Sequence, residues 1–512
     1  MTFTTGSPWQ QWPQPRFAAA ASSVDVDVAV IGAGITGVTT AWLLRQAGCR
    51  VALIDRHRCG DADTGHTTAH LTFVTDQRLR ELAKHFGDDG ARATWEAGAV
   101  AIDQIEQIVQ QTGADCGFRR VPGYLHAPLP AERGQSLDKE VALLREDAEL
   151  ASRLGFDANF VHQTPLGPGP AVRFGGQAAF HPGRYLAALL PGIPGDGSHV
   201  FEHTSIESIE QGPRRLVTSD GHEIRCEFVV IATNNPLTGS VGALRAALLQ
   251  TKLSLYSSYV LAARLPPDTL PDAMFWDTAD PYDYLRVEPM GDHQLVIFGG
   301  EDTKTGQEDD AQAFSKLEQR FALRVPGAVP TQRWMGQVIV TDDALPYIGE
   351  RSGGEFIATG YCGNGFTFGT LAAMMARDAF LGRSNPWKEL MRVDRKPFHG
   401  GVWSYLRENL DYPRYLVADR LGRAEATSLD AVPPGEGRIV ALDGQRCAVY
   451  RDQEGAVSIC SAVCTHLRCL VRWNGPDRTW DCPCHGSRFS PDGAVLAGPA
   501  EQPLEKITPP AG

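Results

Sequence analysis

A glycine motif near the N-terminus constrains the fold most strongly. Residues 24–31 (VDVDVAVI) are apolar and β-branched, as in a buried parallel strand, and GAGITG follows them directly. A helical pattern then runs to Gly48, and a second strand, RVALID, comes after it. These parts together predict a β-α-β unit of about thirty residues. We therefore expect an α/β fold with a parallel sheet.

The spacing of this motif predicts a dinucleotide site. Gly32, Gly34 and Gly37 form G-x-G-x-x-G. Such glycines allow a tight turn, close approach of the backbone to a pyrophosphate, and close packing of helix on strand. Phosphate is favoured at the N-terminus of the helix that follows. Asp55 ends the second strand, where a carboxylate accepts hydrogen bonds from ribose hydroxyls.

Two later features favour FAD over NAD. Small and hydroxyl residues, including Thr67 and Thr68, follow the second strand, where a longer dinucleotide would lie. The segment ATGYCGNGF (358–366) opens a second helix, whose N-terminus could stabilise negative charge on a reduced flavin. An ordinary left-handed turn before a buried helix is the alternative. The cofactor residues predicted here are Gly360, Gly363, Asn364, Gly365, Phe366 and Thr367.

The strand and helix patterns divide the chain into two large parts and a small one. Mixed βαβ and antiparallel segments predict a Rossmann-like FAD-binding domain with an inserted, mixed or antiparallel-sheet substrate domain. Short strands with clustered Cys, His, Gly and Pro predict a small all-β domain at the C-terminus. The predicted boundaries are 1–23 (lead-in), 24–85, 156–250 and 335–384 (FAD-binding), 86–155 and 251–334 (substrate), 385–428 (connector) and 429–512 (C-terminal domain).

Cysteine placement indicates a metal centre near the C-terminus. Six of the eleven cysteines fall in the last 66 residues. Cys464-Thr-His466 and Cys482-Pro-Cys484-His485 offer two thiolates and two imidazoles, a set that suits tetrahedral zinc. It also suits a Rieske [2Fe–2S] cluster, in which two His replace two Cys on one iron. A further cysteine in each loop, Cys469 and Cys484, favours the iron–sulfur interpretation, because the pair could tie the loops together over a cluster.

Charge and hydropathy exclude several classes of partner. The net charge is −13 without a long basic block, which argues against nucleic acid or an anionic membrane surface. No uncharged apolar run approaches the length that a transmembrane segment needs. The N-terminus lacks the basic start and apolar run of a secretory signal. A cytoplasmic location is the expectation.

The C-terminal motifs resemble a known family. CTHLRC followed by CPCHGS is similar to the two boxes of the Rieske family, in the form with a disulfide between the loops. The resemblance implies that the cluster ligands are Cys464, His466, Cys482 and His485, and that Cys469 and Cys484 form the disulfide. Phe489 stands where high-potential members have a tyrosine, so a very high potential is not expected.

Residues 24 to about 384 resemble the D-amino-acid-oxidase-like (glycine-oxidase-like) FAD-dependent oxidoreductases. The supporting segments are VAVIGAGITG, HPGRY (181–185), FVVIATNNP (228–236) and GYCGNGFTFG, together with Asp55. The order of parts resembles bacterial FAD oxidoreductases that carry a C-terminal Rieske domain. This resemblance implies an amine or amino-acid dehydrogenase or oxidase.

In such an enzyme, a hydride passes from a C–N bond to FAD. Electrons then leave singly through the cluster to a protein, quinone or oxygen. The main alternative is an NAD(P)H-oxidising electron-transfer component that feeds a partner oxygenase, although no second G-x-G-x-x-G follows a strand. A redox sensor is a third possibility.

Candidate substrate residues come from the strand PYDYLRVEP. Alternation places Tyr282, Tyr284 and Arg286 on one face. Arg286 could hold a substrate carboxylate with the tyrosines closing the pocket, or it could pair with Glu288 on the same face.

Two further segments offer residues for the flavin region. TTAH resembles the T-T-x-H of dimethylglycine and sarcosine dehydrogenases, whose histidine bonds covalently to the flavin. His70 could form that link or simply line the pocket. Asp302 and Lys304, in the turn FGGEDTKTG, are interpreted as a solvated loop pair.

Overall fold

The computed structural model describes residues 4–128, 136–210, 214–235, 252–351, 354–395 and 425–508. Most of the predicted connector, residues 396–424, lies outside the described residues, as do the ends of the chain and residues 236–250 of the predicted FAD-binding part.

A six-stranded sheet forms the centre of the nucleotide-binding part. Its strands pair in parallel, except for an antiparallel hairpin at one edge. Both faces are covered, so the strands consist almost entirely of buried apolar residues, as the sequence pattern predicted. In spatial order the strands are Tyr347–Arg351, Glu355–Thr359, Phe228–Ile231, Val28–Ile31, Val51–Ile54 and His199–Phe201. A second, four-stranded sheet lies beside it: Ile206–Glu210, Arg214–Thr218, Glu223–Cys226 and Val24–Asp25.

In the described ranges, six α-helices surround the sheets. They are α1 (Ile35–Gln46), α2 (Leu79–Thr112), α3 (Leu137–Arg153), α4 (Pro182–Leu189), α5 (Asp310–Arg324) and α6 (Gly365–Phe380). The two helices that follow the glycine segments, α1 and α6, pack against each other. Helix α2 contains a break at Gly87, whose φ of +73° is non-helical.

A ten-stranded sheet forms the substrate part. Helix α5 covers one of its faces with Phe314, Leu317 and Phe321, which are buried against the strands. The sheet also includes strands from segments outside the predicted insert: Thr4–Thr5, His70–Leu71, Ala158–Thr164 and Gly167–Ala179. In spatial order the strands are Thr4–Thr5, Pro330–Thr341, Leu253–Leu265, Gln294–Lys304, Tyr284–Pro289, Met274–Asp277, Arg119–His126, Gly167–Ala179 and His70–Leu71, with Ala158–Thr164 paired to Gly167–Ala179.

The C-terminal domain is all-β, as predicted. A three-stranded sheet (Gly437–Leu442, Gln445–Arg451 and Val457–Ser461) packs beside a four-stranded one (Arg472–Asn474, Thr479–Asp481, Arg488–Phe489 and Val495–Ala497). Trp480 and Phe489 lie fully buried in the core between the cluster loops and the strands.

Across the described ranges, no helix combines the length and apolar character of a membrane span.

Candidate functional site

One large cavity connects the two glycine segments. Its volume is about 760 Å³, within the range typical of ligand pockets. The first glycine motif and Asp55 line one part, and the segment from Tyr361 to Phe366 lines another. A single elongated ligand can therefore contact both segments.

The first glycine motif has the geometry that its spacing predicted. Gly32 has a φ of +97°, and a Cβ there would lie 2.6 Å from the carbonyl oxygen of Ala232. A Cβ on Gly37 would lie 1.8 Å from the carbonyl oxygen of Gly32, so only glycine allows α1 to pack this close to the strand. Gly34 is the N-cap of α1 and supplies no capping side chain. The start of α1 thus faces the cavity without a side chain in front of it.

Asp55 organises the turn around this helix. Its Oδ2 accepts a hydrogen bond from the N–H of Ala33 at 2.7 Å, and its Oδ1 accepts one from the N–H of His57 at 2.8 Å. A carboxylate has about four acceptor sites, so others remain for ribose hydroxyls. Asp55 lines the cavity, as its position after the second strand predicted.

The second glycine segment turns into α6 beside the same cavity. Gly360 and Gly363 have φ values of +72° and +80°. Asn364 is the N-cap of α6 and is only 3% exposed. Its Nδ2 donates to the carbonyl oxygens of Thr72 and Val74 at 3.1 and 3.0 Å, whereas its Oδ1 has no hydrogen-bond partner among the described residues. Asn364 thus keeps a buried, unpaired acceptor atom beside the cavity.

Most of the predicted cofactor residues line the cavity. They are Gly32, Gly34, Asp55, Thr67, Thr68, His70, Gly363, Asn364, Gly365 and Phe366. Gly37 and Gly360 do not line the cavity but allow close packing behind its wall. The Thr367 hydroxyl donates to the carbonyl oxygen of Thr72 at 2.7 Å. The turn at Gly32, the uncapped start of α1 and the carboxylate of Asp55 fit the pyrophosphate and ribose of FAD.

His70 reaches the cavity from a short strand of the substrate sheet. Its ring lies edge-on to that of Tyr284, with 5.4 Å between centroids, and Nδ1 lies 3.1 Å from the Thr68 hydroxyl. Burial lowers the pKa of His70 to about 3, so the imidazole is neutral. The structure thus places His70 in the pocket wall, where a covalent flavin link stays a prediction.

The four predicted cluster ligands converge at the tip of the C-terminal domain. Cys464 and Cys482 are buried, and their thiols contact each other. The contact with Cys482 lowers the pKa of Cys464 to about 7, with additional help from the Ser487 hydroxyl. The rings of His466 and His485 are perpendicular, with 5.0 Å between centroids.

The protonation state of this group suits a metal cluster. Burial lowers the pKa of both His466 and His485 to about 4, so both imidazoles are neutral, which is the form that binds metal. Two thiols and two neutral imidazoles are the donor set of a Rieske [2Fe–2S] centre. Cys469 and Cys484 form a disulfide whose Cα atoms are 6.5 Å apart, and Cys482 Sγ lies within 4.8 Å of both of its sulfur atoms.

Comparison with known proteins agrees with this geometry. Residues 27–379 match the DAO family, described as FAD dependent oxidoreductase, and residues 424–508 match the Rieske [2Fe-2S] domain. The chain belongs to the DAO family of FAD-dependent oxidoreductases. It binds FAD in this domain and a [2Fe–2S] cluster in its Rieske domain, as predicted.

Three relatives illustrate the extent of the match. The Rieske 2Fe-2S iron-sulfur protein YhfW of Bacillus subtilis is 33% identical, over 96% of this chain and 95% of its own. The gamma-glutamylputrescine oxidoreductase of Escherichia coli is 23% identical, over 74% and 89%. The glycine oxidase structure from Geobacillus kaustophilus has a TM-score of 0.61 at 18% identity, over 73% and 100%, and shows the shared fold.

The oxidoreductase does not offer Arg286 to a ligand, contrary to the substrate role considered from its sequence. Arg286 is 0% exposed and is absent from the cavity wall. Its guanidinium forms an ion pair with buried Glu288 and donates to the carbonyl oxygens of Ala69 and Phe180. A buried charge needs such a set of partners, so this arginine fixes the backbone behind the pocket. The alternative pairing with Glu288 is the one observed.

Tyr282 and Tyr284 do line the cavity, within a group that we call the acidic arc: Asp76, Tyr282, Tyr284, Ser258 and Asp302. The Tyr282 hydroxyl donates to Asp76 Oδ1 at 2.9 Å. The Ser258 hydroxyl donates to Asp302 Oδ1 at 2.5 Å and lies 2.7 Å from the Tyr284 hydroxyl. The two tyrosine rings are 5.8 Å apart between centroids. Tyr282 precedes the strand, which begins at Tyr284 and not at residue 282.

Both carboxyl groups of the acidic arc have a raised pKa. Asp76 is exposed to the cavity, yet its enclosure by the protein raises its pKa to about 7, and the charge of Asp302 contributes. Burial likewise raises the pKa of Asp302 to about 6. Asp302 was interpreted from sequence as part of a solvated loop pair, which the structure shows to be wrong, because this side chain lines the cavity.

Sequence reasoning also missed Asp76 and Ser258. Neither lies in a motif: Asp76 precedes α2, and Ser258 lies within an apolar strand. A hydroxyl pair in the run SLYSSYVLAA, where strand alternation turns one of them inward, was the available signal.

Proposed function

We propose that this oxidoreductase oxidises a C–N bond of an amine or amino acid at the flavin and releases the electrons one at a time through its Rieske cluster. FAD supplies the site that accepts a hydride, that is, two electrons and a proton. The substrate carbon loses this hydride, the nitrogen loses a proton, and the resulting imine is hydrolysed by water to a carbonyl compound and an amine. An external acceptor takes up the two electrons singly.

One observation carries the electron-exit part of the proposal. The cluster loop around Cys482 and His485 packs against the wall of the flavin cavity. Gln337, which lines the cavity, donates from Nε2 to the carbonyl oxygen of Gly486 at 2.8 Å. Gly486 follows the cluster ligand His485 directly. A hydrogen-bonded path thus runs from the cavity wall to the cluster loop.

Neighbouring contacts hold this loop against the flavin domain. Gln307 Nε2 donates to the carbonyl oxygen of Pro483 at 2.9 Å. A Cβ on Gly486 would lie 2.7 Å from Leu255 Cβ, so the loop approaches the strand Leu253–Leu265 as closely as glycine allows. Near Asp55, Rieske-domain residues from Leu496 to Pro503 contribute to the cavity wall itself. These contacts place the cluster loop directly against the wall of the flavin cavity, which supports direct electron transfer between two cofactors of one chain.

The polar groups of the cavity support an amine substrate. Carboxylates in the acidic arc attract a cationic nitrogen, and hydroxyl groups accept hydrogen bonds from its N–H groups. The gamma-glutamylputrescine oxidoreductase relative, by its name, acts on such a compound.

The test is anaerobic addition of amines, amino acids, NADH and NADPH, each alone, to purified protein. Absorbance reports flavin reduction, and low-temperature EPR reports the reduced cluster. We expect an amine or amino acid to bleach the flavin and then raise the Rieske signal. If only a pyridine nucleotide does both, the protein is an electron-transfer component and the proposal is wrong.

A further inference from the structure

When both of its carboxyl groups are ionised, the acidic arc presents only acceptors to the cavity. The Tyr282 hydroxyl hydrogen is directed to Asp76, and the Ser258 hydrogen is directed to Asp302. Since Ser258 has a single hydrogen, the 2.7 Å contact with Tyr284 uses the hydrogen of the tyrosine. All three hydroxyl hydrogens therefore stay within the arc. What remains for a ligand is carboxylate oxygens and phenolic lone pairs.

The two carboxylates of the arc also lack a cationic partner, in contrast to their neighbours. Asp147 and Asp277, which line the same cavity, pair with Arg78 and Arg324. In the described ranges, neither Asp76 nor Asp302 forms an ion pair. Enclosed carboxylates are normally paired, so a positive charge from the ligand would complete this site.

A second, independent group points to a donor-rich ligand. Asn364 is only 3% exposed and lines this cavity, and its Oδ1 has no hydrogen-bond partner in the described structure. The preceding residue, Gly363, adjoins the arc, because a Cβ there would lie 2.6 Å from Asp76 Oδ2. This acceptor, like the arc, requires N–H groups.

Among the described residues, a substrate carboxylate finds no unpaired arginine at this end of the cavity. Arg286 is committed to Glu288, and Arg78 is committed to Asp147. The other arginine in the described part of the wall, Arg56, contacts the Rieske domain through the carbonyl oxygen of Leu496. An amino-acid substrate would therefore bring its carboxylate towards two acids.

We propose that the acidic arc holds a non-reacting ammonium group, so that the substrate is a diamine or polyamine-like molecule rather than an amino acid. This inference rests on the proposed C–N oxidation. The reacting nitrogen has to be unprotonated when hydride leaves the adjacent carbon, whereas neighbouring carboxylates favour a protonated nitrogen. The nitrogen in the arc and the reacting nitrogen are thus different atoms of one substrate.

Matched ligands test the inference without turnover. Putrescine, n-butylamine and γ-aminobutyrate share a four-carbon amine and differ in the far end, which is an ammonium, a methyl or a carboxylate. We would titrate each by calorimetry into dithionite-reduced holoenzyme, which cannot oxidise them. We expect putrescine to bind about tenfold more tightly than n-butylamine, and γ-aminobutyrate to bind most weakly.

Isosteric variants locate the effect. Asp76→Asn and Asp302→Asn should each remove most of the preference for putrescine over n-butylamine. Asp310→Asn is the matched control, because Asp310 is also a largely enclosed carboxyl that accepts a tyrosine hydroxyl hydrogen, from Tyr259 at 2.6 Å, but lies outside the cavity. This control should retain the preference.

Three outcomes overturn the inference: equal affinity for the three ligands, tighter binding of γ-aminobutyrate, or an Asp310→Asn effect as large as that of Asp76→Asn. None of them decides the proposed function. Flavin reduction by an amino acid, followed by a Rieske signal, would keep the C–N oxidation and reject the diamine.

Discussion

The two cofactor sites of this protein are built in opposite ways. The predicted ligands of the cluster all come from two short loops, Cys464–His466 and Cys482–His485 of the sequence, within one small domain. The flavin cavity takes its wall from segments as distant as Gly32 and Asn364, together with residues of the Rieske domain itself. The first site is therefore encoded locally, and the second depends on the tertiary fold.

Because of this difference, mutations can alter the cluster site and the flavin site separately. Loss of a cluster ligand removes donor atoms but leaves the nucleotide sheet and its helices intact. Loss of a glycine in the flavin site changes how close two backbone segments approach. The contact of Gln337 with Gly486 is one place where the two sites meet, so its loss is expected to affect both.

Removing one cluster thiol should have the largest effect. Cys464→Ser deletes a buried ligand that a serine hydroxyl replaces poorly, so we expect complete loss of the Rieske EPR signal. The flavin absorbance and its reduction by substrate should persist, because no cluster ligand supports the nucleotide sheet. Iron analysis and EPR of the purified variant check this. A retained signal of normal intensity would exclude Cys464 as a ligand.

Adding a side chain at the glycine where α1 packs against the first strand of the motif should produce the opposite phenotype. Gly37→Val places a side chain where the carbonyl oxygen of Gly32 lies, which forces α1 away from the strand. We expect protein without FAD that still shows the cluster spectrum. Absorbance of the released flavin, measured against protein concentration, reports the loss. Full flavin occupancy in the variant would contradict the role of Gly37.

The sequence predicted the local site better than the distributed one, for physical reasons. Ligand spacing in the Rieske loops and the glycine spacing after a strand both specify backbone geometry over a few residues, and the family comparisons bear out the two cofactors. Strand alternation predicted that Arg286 shares a face with Glu288 and so offered two partners for the guanidinium, a substrate carboxylate or Glu288, but it could not decide between them, whereas the structure shows the buried pair with Glu288. Pairing partners of this kind depend on burial, which a single strand does not encode.

The substrate end of the cavity was the least predictable part. Asp76, Ser258 and Asp302 come from a loop and two strands that only the ten-stranded sheet brings together. Each looks ordinary alone: an acid before a helix, a hydroxyl in an apolar strand and an acid near a turn. Their joint chemistry arises from the hydrogen bonds that the fold permits.

Breaking the contact between the sites should have an intermediate effect. Gln337→Leu removes the hydrogen bond to Gly486, which weakens the docking of the cluster loop by about 1 kcal/mol. We expect slower cluster reduction after a normal rate of flavin reduction, measured by stopped-flow absorbance and freeze-quench EPR. Gln294→Leu is the control, since Gln294 donates to the carbonyl oxygen of Leu270 far from the cluster. Equal slowing in both variants would mean that the contact is only structural.

The smallest expected effect is a pH dependence of ligand binding. The pKa of Asp76 is raised to about 7 and that of Asp302 to about 6, so both lose charge as the pH falls through these values. A cationic ligand favours their ionised forms, and its affinity should rise with pH, by up to about tenfold per unit below pH 7, and then level off.

The other titratable groups at the arc do not change charge in this range. Burial raises the pKa of Tyr282 and Tyr284 above its usual value, and His70 is already neutral. Calorimetric titration of putrescine into reduced protein at several pH values measures the effect. Asp76→Asn should flatten the profile near pH 7, and an unchanged profile would mean that another group, outside the arc, binds the cation.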